Sequence, residues 1–441
     1  MNINEGQQIL RALHNGSVPA YEGAKYIMCG HEEERDAILE DLDYIKFKSN
    51  GDSHSGFKMI YGPYGSGKSF LCEVLKEEAL KDNFVISEIV ISKNTQLHNF
   101  ETIYNKIMVG MRTNEFREFS AFRIIIESWI EKEKSEIISK YNLDPDDNEE
   151  DEEKLIARLK DKISLELAKA NTTNVSIVNA VISFCTGLLN GDNTLAQKSL
   201  AWFAGDTNIP ADIKRSIGVK GSVDKGNVFE FLKTLLYIIE KSGYAGLLVI
   251  IDEVETVRKE RKDIRYQAYE NLRLLIDMVS KDNLPGCYLL FTGTEELIED
   301  EEKGIKEHDA LYTRIEPIKL GDIRILEQPL IKLSRFDSSQ LIEVSKKVRH
   351  IHGTVHGWNP QSKISDEFIG EYVRSFTNAF GKEVSILPRT FLRNFIFILE
   401  AAKKEPMSKI KSLLNISEEQ IEEVNKQIEL YGREVAMEME L

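Results

Sequence analysis

Apolar and polar positions change period several times along the chain. The run "FKMIY" (57–61) is short and apolar, "SFLCEVLKEEAL" (69–80) repeats its apolar residues at helical spacing, and "NFVISEIVIS" (83–92) is short and β-branched. A strand, a helix and a second strand in that order predict an α/β fold layered around buried parallel strands. Ahead of them, "GQQILRAL" and "EEERDAILEDLDYIKF" predict two helices joined by a Gly/Pro-containing loop. From about residue 96 to 240 the periodicity is helical throughout, which predicts a large helical insertion. Strand signals return at "GLLVII" (246–251) and "CYLLFTG" (287–293), which flank the helical "YQAYENLRLLIDMVS", and a last strand is expected at "IEPIKL" (315–320). Residues from about 335 to 403 are again helical, and "SEEQIEEVNKQIELYGREVAMEM" predicts a charged tail helix. The expected organisation is an N-terminal segment (1–50), an α/β core (51–325) carrying the insertion (96–240), a helical lid (330–403) and a tail (404–441).

The chain's 441 residues suffice for two or three domains and a substantial core. Its formal charge of -16 argues against coating nucleic acid by bulk electrostatics, while leaving room for a local basic patch. The segment "DPDDNEEDEE" (144–153) holds eight carboxylates in ten positions and is expected as a solvated loop inside the insertion. No run approaches the ~18 apolar residues of a membrane span, and the N-terminus lacks the basic start and apolar core of a signal peptide. Cys29, Cys72, Cys185 and Cys287 are scattered without a CxxC pair. A reduced, cytoplasmic protein is the expectation.

Chemistry enters at "GPYGSGKS" (62–69), which fits G-x-x-x-x-G-K-[ST] without a gap. A loop that wraps phosphate must turn several backbone N–H groups inward, and glycine supplies the positive φ and the close approach. Lys68 adds a point charge for the β/γ-phosphates and Ser69 an oxygen for Mg²⁺. The helix that follows offers its N-terminal dipole. Gly62, Pro63, Tyr64, Gly65, Ser66, Gly67, Lys68, Ser69 and Phe70 are therefore candidate ATP contacts. A Gly-rich turn without a ligand would lack the strand before and the helix after.

Binding needs only the cradle; hydrolysis needs more. "GLLVIIDEVE" places Asp252 and Glu253 at the C-terminal end of a buried strand, the edge where ligands sit in open α/β sheets. Asp252 suits Mg²⁺, and Glu253 suits orienting or deprotonating the attacking water. Glu255 is expected on the surface. In "CYLLFTGTEEL", Thr292 and Thr294 end a strand and would sense the γ-phosphate or hold the water if that strand neighbours 246–251. Two arginines complete the set. Arg314 would act as a finger on a neighbouring subunit's nucleotide, and Arg389, after Pro388 at a helix start, would close over the phosphates from the lid. A surface ion pair is the plain alternative for both. His350, His352 and His356 lie close together but lack an evident third metal ligand, so ordinary helix-end histidines are expected. "WFAGD" (202–206) and residues 213–227 are a candidate partner loop.

The order of "GHEEERDAIL", the glycine loop, "IIDEVE", a threonine-ended strand, an arginine and a "PR" helix resembles the AAA+ superfamily. More closely, the chain resembles BREX-system ATP-binding proteins of the BrxD type. The residues that carry this are "ALHNGSVPAYEGAKYIMCGHEEE", "IYGPYGSGKSFL", "WFAGD", "GYAGLLVIIDEVE", "LLFTGTEELIED" and "LPRTFLRNFIFIL", spread over residues 12–400. The resemblance implies a parallel-sheet P-loop ATPase core with a helical lid, ATP and Mg²⁺ as ligands, and a role in bacterial phage defence. It also implies partners from the same locus, a helicase among the candidates; self-association is the expectation that a finger role for Arg314 carries. The family-like "GRE" is Gly30, His31, Glu32 here, and no winged-helix module is apparent after the lid, so sequence-specific DNA reading is not expected. Two other functions stand beside the ATPase: an ATP-gated scaffold with little hydrolysis, and a replication-initiator-like DNA loader, which the charge disfavours. No NKxD-like guanine reader follows the last strands.

Overall fold

Successive side chains of a strand leave on opposite faces, so a buried sheet divides its apolar residues between two cores. The computed structural model describes residues 1–19, 22–48, 53–145, 148–170, 172–318, 324–380 and 388–412. Its strands are β1 (Gly56–Tyr61), β2 (Val85–Val90), β3 (Leu247–Asp252), β4 (Cys287–Gly293) and β5 (Leu330–Lys332). All pair in parallel, in the order β2-β3-β4-β1-β5. In β3, Leu248 and Ile250 enter one cluster while Leu247, Val249 and Ile251 enter the other. The α/β, parallel-sheet class expected from the pattern is the one observed.

Three helices, α1 (Ile3–His14), α2 (Glu22–Ile27) and α3 (Glu32–Ile45), come before β1, and α4 (Lys68–Lys81) follows it. Helices α3 and α4 cover the Leu248 face through Ile38, Leu42, Leu71 and Leu75. Between β2 and β3 the chain forms α5 (Phe100–Gly110), α6 (Phe122–Tyr141), α7 (Glu149–Lys169), α8 (Val175–Leu189), α9 (Asn193–Phe203), α10 (Ala211–Ser216) and α11 (Val228–Lys241). Their apolar faces join the Leu247 face in one continuous cluster. Helices α12 (Lys262–Ser280), α13 (Glu295–Glu299) and α14 (Asp309–Ile315) follow β3 and β4. After β5 come α15 (Ser338–His356), α16 (Asp366–Phe380), α17 (Pro388–Lys404) and α18 (Met407–Ser412). These pack with α1 around a third cluster that includes Ile9, Leu13, Val348, Phe391 and Phe395. Phe70 of α4 packs against both this cluster and the core beneath the sheet.

Four expectations need correction. The Gly/Pro loop before residue 32 contains α2. The acidic run is not all loop: Glu149, Glu150, Asp151 and Glu152 form the first turn of α7, where carboxylates meet the positive end of the helix dipole. Asn148 caps that turn by accepting from Glu150 N at 3.0 Å. "IEPIKL" is not the last strand, since Ile315 closes α14 and residues 316–318 are irregular, with 319 and 320 outside the described residues. The strand beside β1 is instead "LIK" at 330–332. Trp202 and Phe203 of "WFAGD" are core residues, 1% exposed each, and Trp202 Nε1 donates to Gly221 O at 3.1 Å. The four cysteines are free and buried. The tail helix expected beyond residue 412 lies outside the described residues.

Candidate functional site

Strand β1 runs straight into the glycine loop, where Gly62 N donates to Gly293 O of neighbouring β4 at 3.2 Å. A Cβ on Gly62 would sit 2.6 Å from Leu333 O, so only glycine lets the loop pass there. Gly67 takes φ +91°, a left-handed conformation that glycine adopts without strain, and α4 begins at the next residue. Lys68 Nζ turns back onto the loop, donating to Gly62 O at 2.8 Å and Pro63 O at 3.1 Å. Burial pulls its ammonium below the ordinary lysine range, while the Glu255 and Asp252 carboxylates act against that pull. Ser66 Oγ is buried without a partner among the described residues, an orphaned hydroxyl inside the loop. Tyr64 lies exposed beside the loop and Ser69 is exposed on the first turn of α4.

Because β3 and β4 are neighbours, with Ile251 beside Phe291, the ends of both strands meet next to the loop. Thr292 Oγ1 donates to Asp252 Oδ1, and Glu253 N donates to the same oxygen at 2.9 Å. Asp252 Oδ2 takes no hydrogen bond among the described residues, so an oxygen stays uncommitted beside the loop. Ser69 Oγ and Asp252 Oδ2 are hard oxygen donors of the kind Mg²⁺ prefers. Glu253 itself sits at φ +58°, a left-handed conformation rare for a side chain of its size. Thr292 and Thr294 are both buried at the end of β4.

Two residues belong here that their sequence context did not reveal. Glu255 is not a surface residue: its Oε2 is buried with no hydrogen-bond partner among the described residues. Burial raises its carboxyl to about 7, with Lys68 pulling the other way and Asp252 and Glu253 adding to the rise. The left-handed turn at Glu253 and the short 3₁₀ helix Val254–Lys259 carry it inward. The second is His31, whose Nε2 lies 2.8 Å from Ser66 O in the loop. The "GHE" spelling gave the only hint.

The arginines are placed differently. Arg314 lies on α14 and pairs with Asp277 of α12 through both Nε and Nη2, the latter at 3.0 Å, rather than bonding to the loop. Arg389 begins α17 with its aliphatic carbons over Gly16, the Cγ at 3.4 Å from where a Cβ would be.

A loop of the G-x-x-x-x-G-K-S form at the end of a parallel strand, beside an acidic strand end, is thus in place. The model of the BREX system ATP-binding protein BrxC/D family matches residues 2–418. The chain belongs to that family. Among solved structures, this BrxC/D family chain is similar to Cdc6p from Pyrobaculum aerophilum at 10% identity, with a TM-score of 0.39 over 91% of this chain and 68% of that chain. Among curated proteins nothing matches it. Among the described residues no helix is long and apolar enough to cross a membrane.

The BrxC/D chain also holds a histidine cluster away from the loop, at the C-terminal end of α15 as expected, though it is more than a pair of ordinary surface histidines. His352 is fully buried, with Nε2 3.0 Å from Glu400 Oε1 on α17, and His356 Nε2 is 3.3 Å from the same oxygen. These three groups have the proximity of a metal site. Trp358 Nε1, however, donates to His352 Nδ1 at 3.0 Å, which fixes the ring proton on Nε2, the atom a metal would need bare. The cluster is a hydrogen-bonded clasp between α15 and α17.

Proposed function

We propose that the chain is an AAA+-type ATPase that binds and hydrolyses ATP with Mg²⁺ in the cytoplasm, working with other proteins of a BREX-like defence locus. The observation that carries this reading is the Asp252–Thr292 pair at the ends of two adjacent strands, beside the Gly62–Ser69 loop. Gly62, Pro63, Tyr64, Gly65, Ser66 and Gly67 would wrap the phosphates, with Phe70 behind them. Lys68 would leave the Gly62 and Pro63 carbonyls for the β/γ-phosphates. Ser69 and Asp252 would hold Mg²⁺, which neutralises phosphate charge when bound. Glu253 would take the proton from the attacking water, and Thr292 and Thr294 would keep that water and the γ-phosphate in register. The segments 96–240 and 330–403 serve in this reading as insertion and lid, with Arg389 closing from the lid and Arg314 reaching a neighbouring copy.

Lys68→Ala is expected to abolish ATP binding, whereas Glu253→Gln keeps binding and loses turnover by about a hundredfold or more. Isothermal titration and steady-state phosphate release read the two effects separately. Hydrolysis at the wild-type rate by both variants would overturn the assignment. An ATP-gated binding module is the second reading, and one observation favours it: Arg314 is engaged by Asp277 within its own chain.

A further inference from the structure

We propose that His31 is a positioning residue of the phosphate cradle, a charged clamp that holds the Ser66–Gly67 peptide from behind so that Gly67 N–H points at a bound phosphate. This rests on the ATP reading above. His31 lies at the start of α3, with its side chain 8% exposed. Its Nε2 is 2.8 Å from Ser66 O and its Nδ1 is 3.1 Å from Glu34 Oε1. A carbonyl oxygen can only accept a hydrogen bond. An ionised carboxylate can only accept as well. Both bonds therefore form together only when the ring carries a proton on each nitrogen.

Glu34 is held ionised. Burial works against it, but the bonds from His31 and Arg324 bring its carboxyl down to about 2. Arg324 pairs with Glu34 and also donates to Lys332 O at 3.1 Å, tying the cluster to β5. Arg324 and His31 thus meet on one carboxylate oxygen behind the loop. The other charged groups nearby are Glu32, whose Oε1 accepts from Gly30 N at 3.0 Å, and Lys68 at the start of α4. Phe336, ahead of α15, offers only a ring, 6.1 Å from that of His31.

The geometry then sets the amide. In a trans peptide the C=O and the following N–H point in opposite directions. A Ser66 carbonyl drawn toward His31 turns Gly67 N–H away from it, to the face where the loop would meet phosphate. The site of a Cβ on Gly67 lies 3.5 Å from His31 Cδ2 and from Phe336 Cε2, so the imidazole also backs the glycine sterically.

The test is ADP titration of the full chain, followed by calorimetry. His31 has φ +65°, so Asn, which tolerates that conformation, is the neutral replacement, and Arg is the permanently charged one. His31→Asn is expected to weaken ADP binding by about tenfold or more. His31→Arg is expected to bind within a few-fold of the wild type. Thermal melts confirm that each variant is folded. If Lys68→Ala loses binding while His31→Asn does not, the role of His31 fails and the ATP reading stands. Loss of affinity in His31→Arg as large as that in His31→Asn overturns the charged clamp. Absence of ADP binding by the wild type overturns both readings.

Discussion

Glu253 and Glu255 sit two residues apart and illustrate how a site is built at the expense of stability. Glu253 holds a left-handed backbone that costs roughly 1 kcal/mol, with its N–H aligned on Asp252. Glu255 keeps its carboxyl oxygen Oε2 buried without a partner among the described residues, and its carboxyl is raised to about 7. Its proton is bound more tightly in the folded than in the unfolded chain. Stability linked to Glu255 therefore falls as pH rises from about 4.5 to about 7, and the whole penalty is present above that. Glu255→Gln removes the charge and keeps the shape. The nucleotide-free variant is expected to melt on the order of 2 °C above wild type at about pH 8, and to match it near pH 5. Differential scanning calorimetry at the two pH values decides it, and an equal gain at both would show that ionisation is not the cause.

Helices α15 and α17 meet through the Trp358–His352–Glu400 chain, and this contact has a measurable strength. His352→Ala would strand a partly buried indole N–H and half-buried Glu400 as well as open a void, a loss of about 2–4 kcal/mol by urea unfolding. Because Trp358 fixes the proton on Nε2, excess Zn²⁺ is expected to leave the melting temperature unchanged; a rise would mean that the ring had turned and bound metal. None of this was legible in "RHIHGTVHGW", since Glu400 lies 48 residues beyond His352 and only tertiary packing joins them. Elements with continuous aliphatic runs were legible. "LLVII" and "CYLLFTG" name their strands because burial on both faces leaves no other use for such sequences. The loop and Asp252 were legible because chemistry restricts their residue types. "IEPIKL" misled because Ile315 belongs to the last turn of α14, and Pro317 after it cannot continue a helix. Glu255 was hidden by a backbone turn that no periodicity encodes.

The assembled molecule ties its candidate finger down. Asp277 on α12 binds Arg314 and also accepts from Arg273 Nη1 at 2.6 Å; Arg273 in turn pairs with Glu270, 3.3 Å from His308 Nε2 at the start of α14. Arg314 therefore belongs to a ladder of alternating charge joining α12 to α14, and its hydrogen bond lowers the Asp277 carboxyl. With its side chain 35% exposed, it is still within reach of a second chain. To reach a neighbour's nucleotide it must leave Asp277, so the in-chain pair competes with assembly. Such a half-exposed pair is worth up to about 1 kcal/mol. If Arg314 acts between copies, turnover per chain rises with protein concentration, and Arg314→Ala removes the rise. Asp277→Asn frees the guanidinium and should move the midpoint of that rise to lower concentration by up to about fivefold. Phosphate release measured over a dilution series of the three proteins separates the cases. A rise that persists in Arg314→Ala shows that another group completes the site. A wild-type rate that stays near zero at every concentration, with ATP bound, makes the ladder the resting state of a nucleotide-gated module.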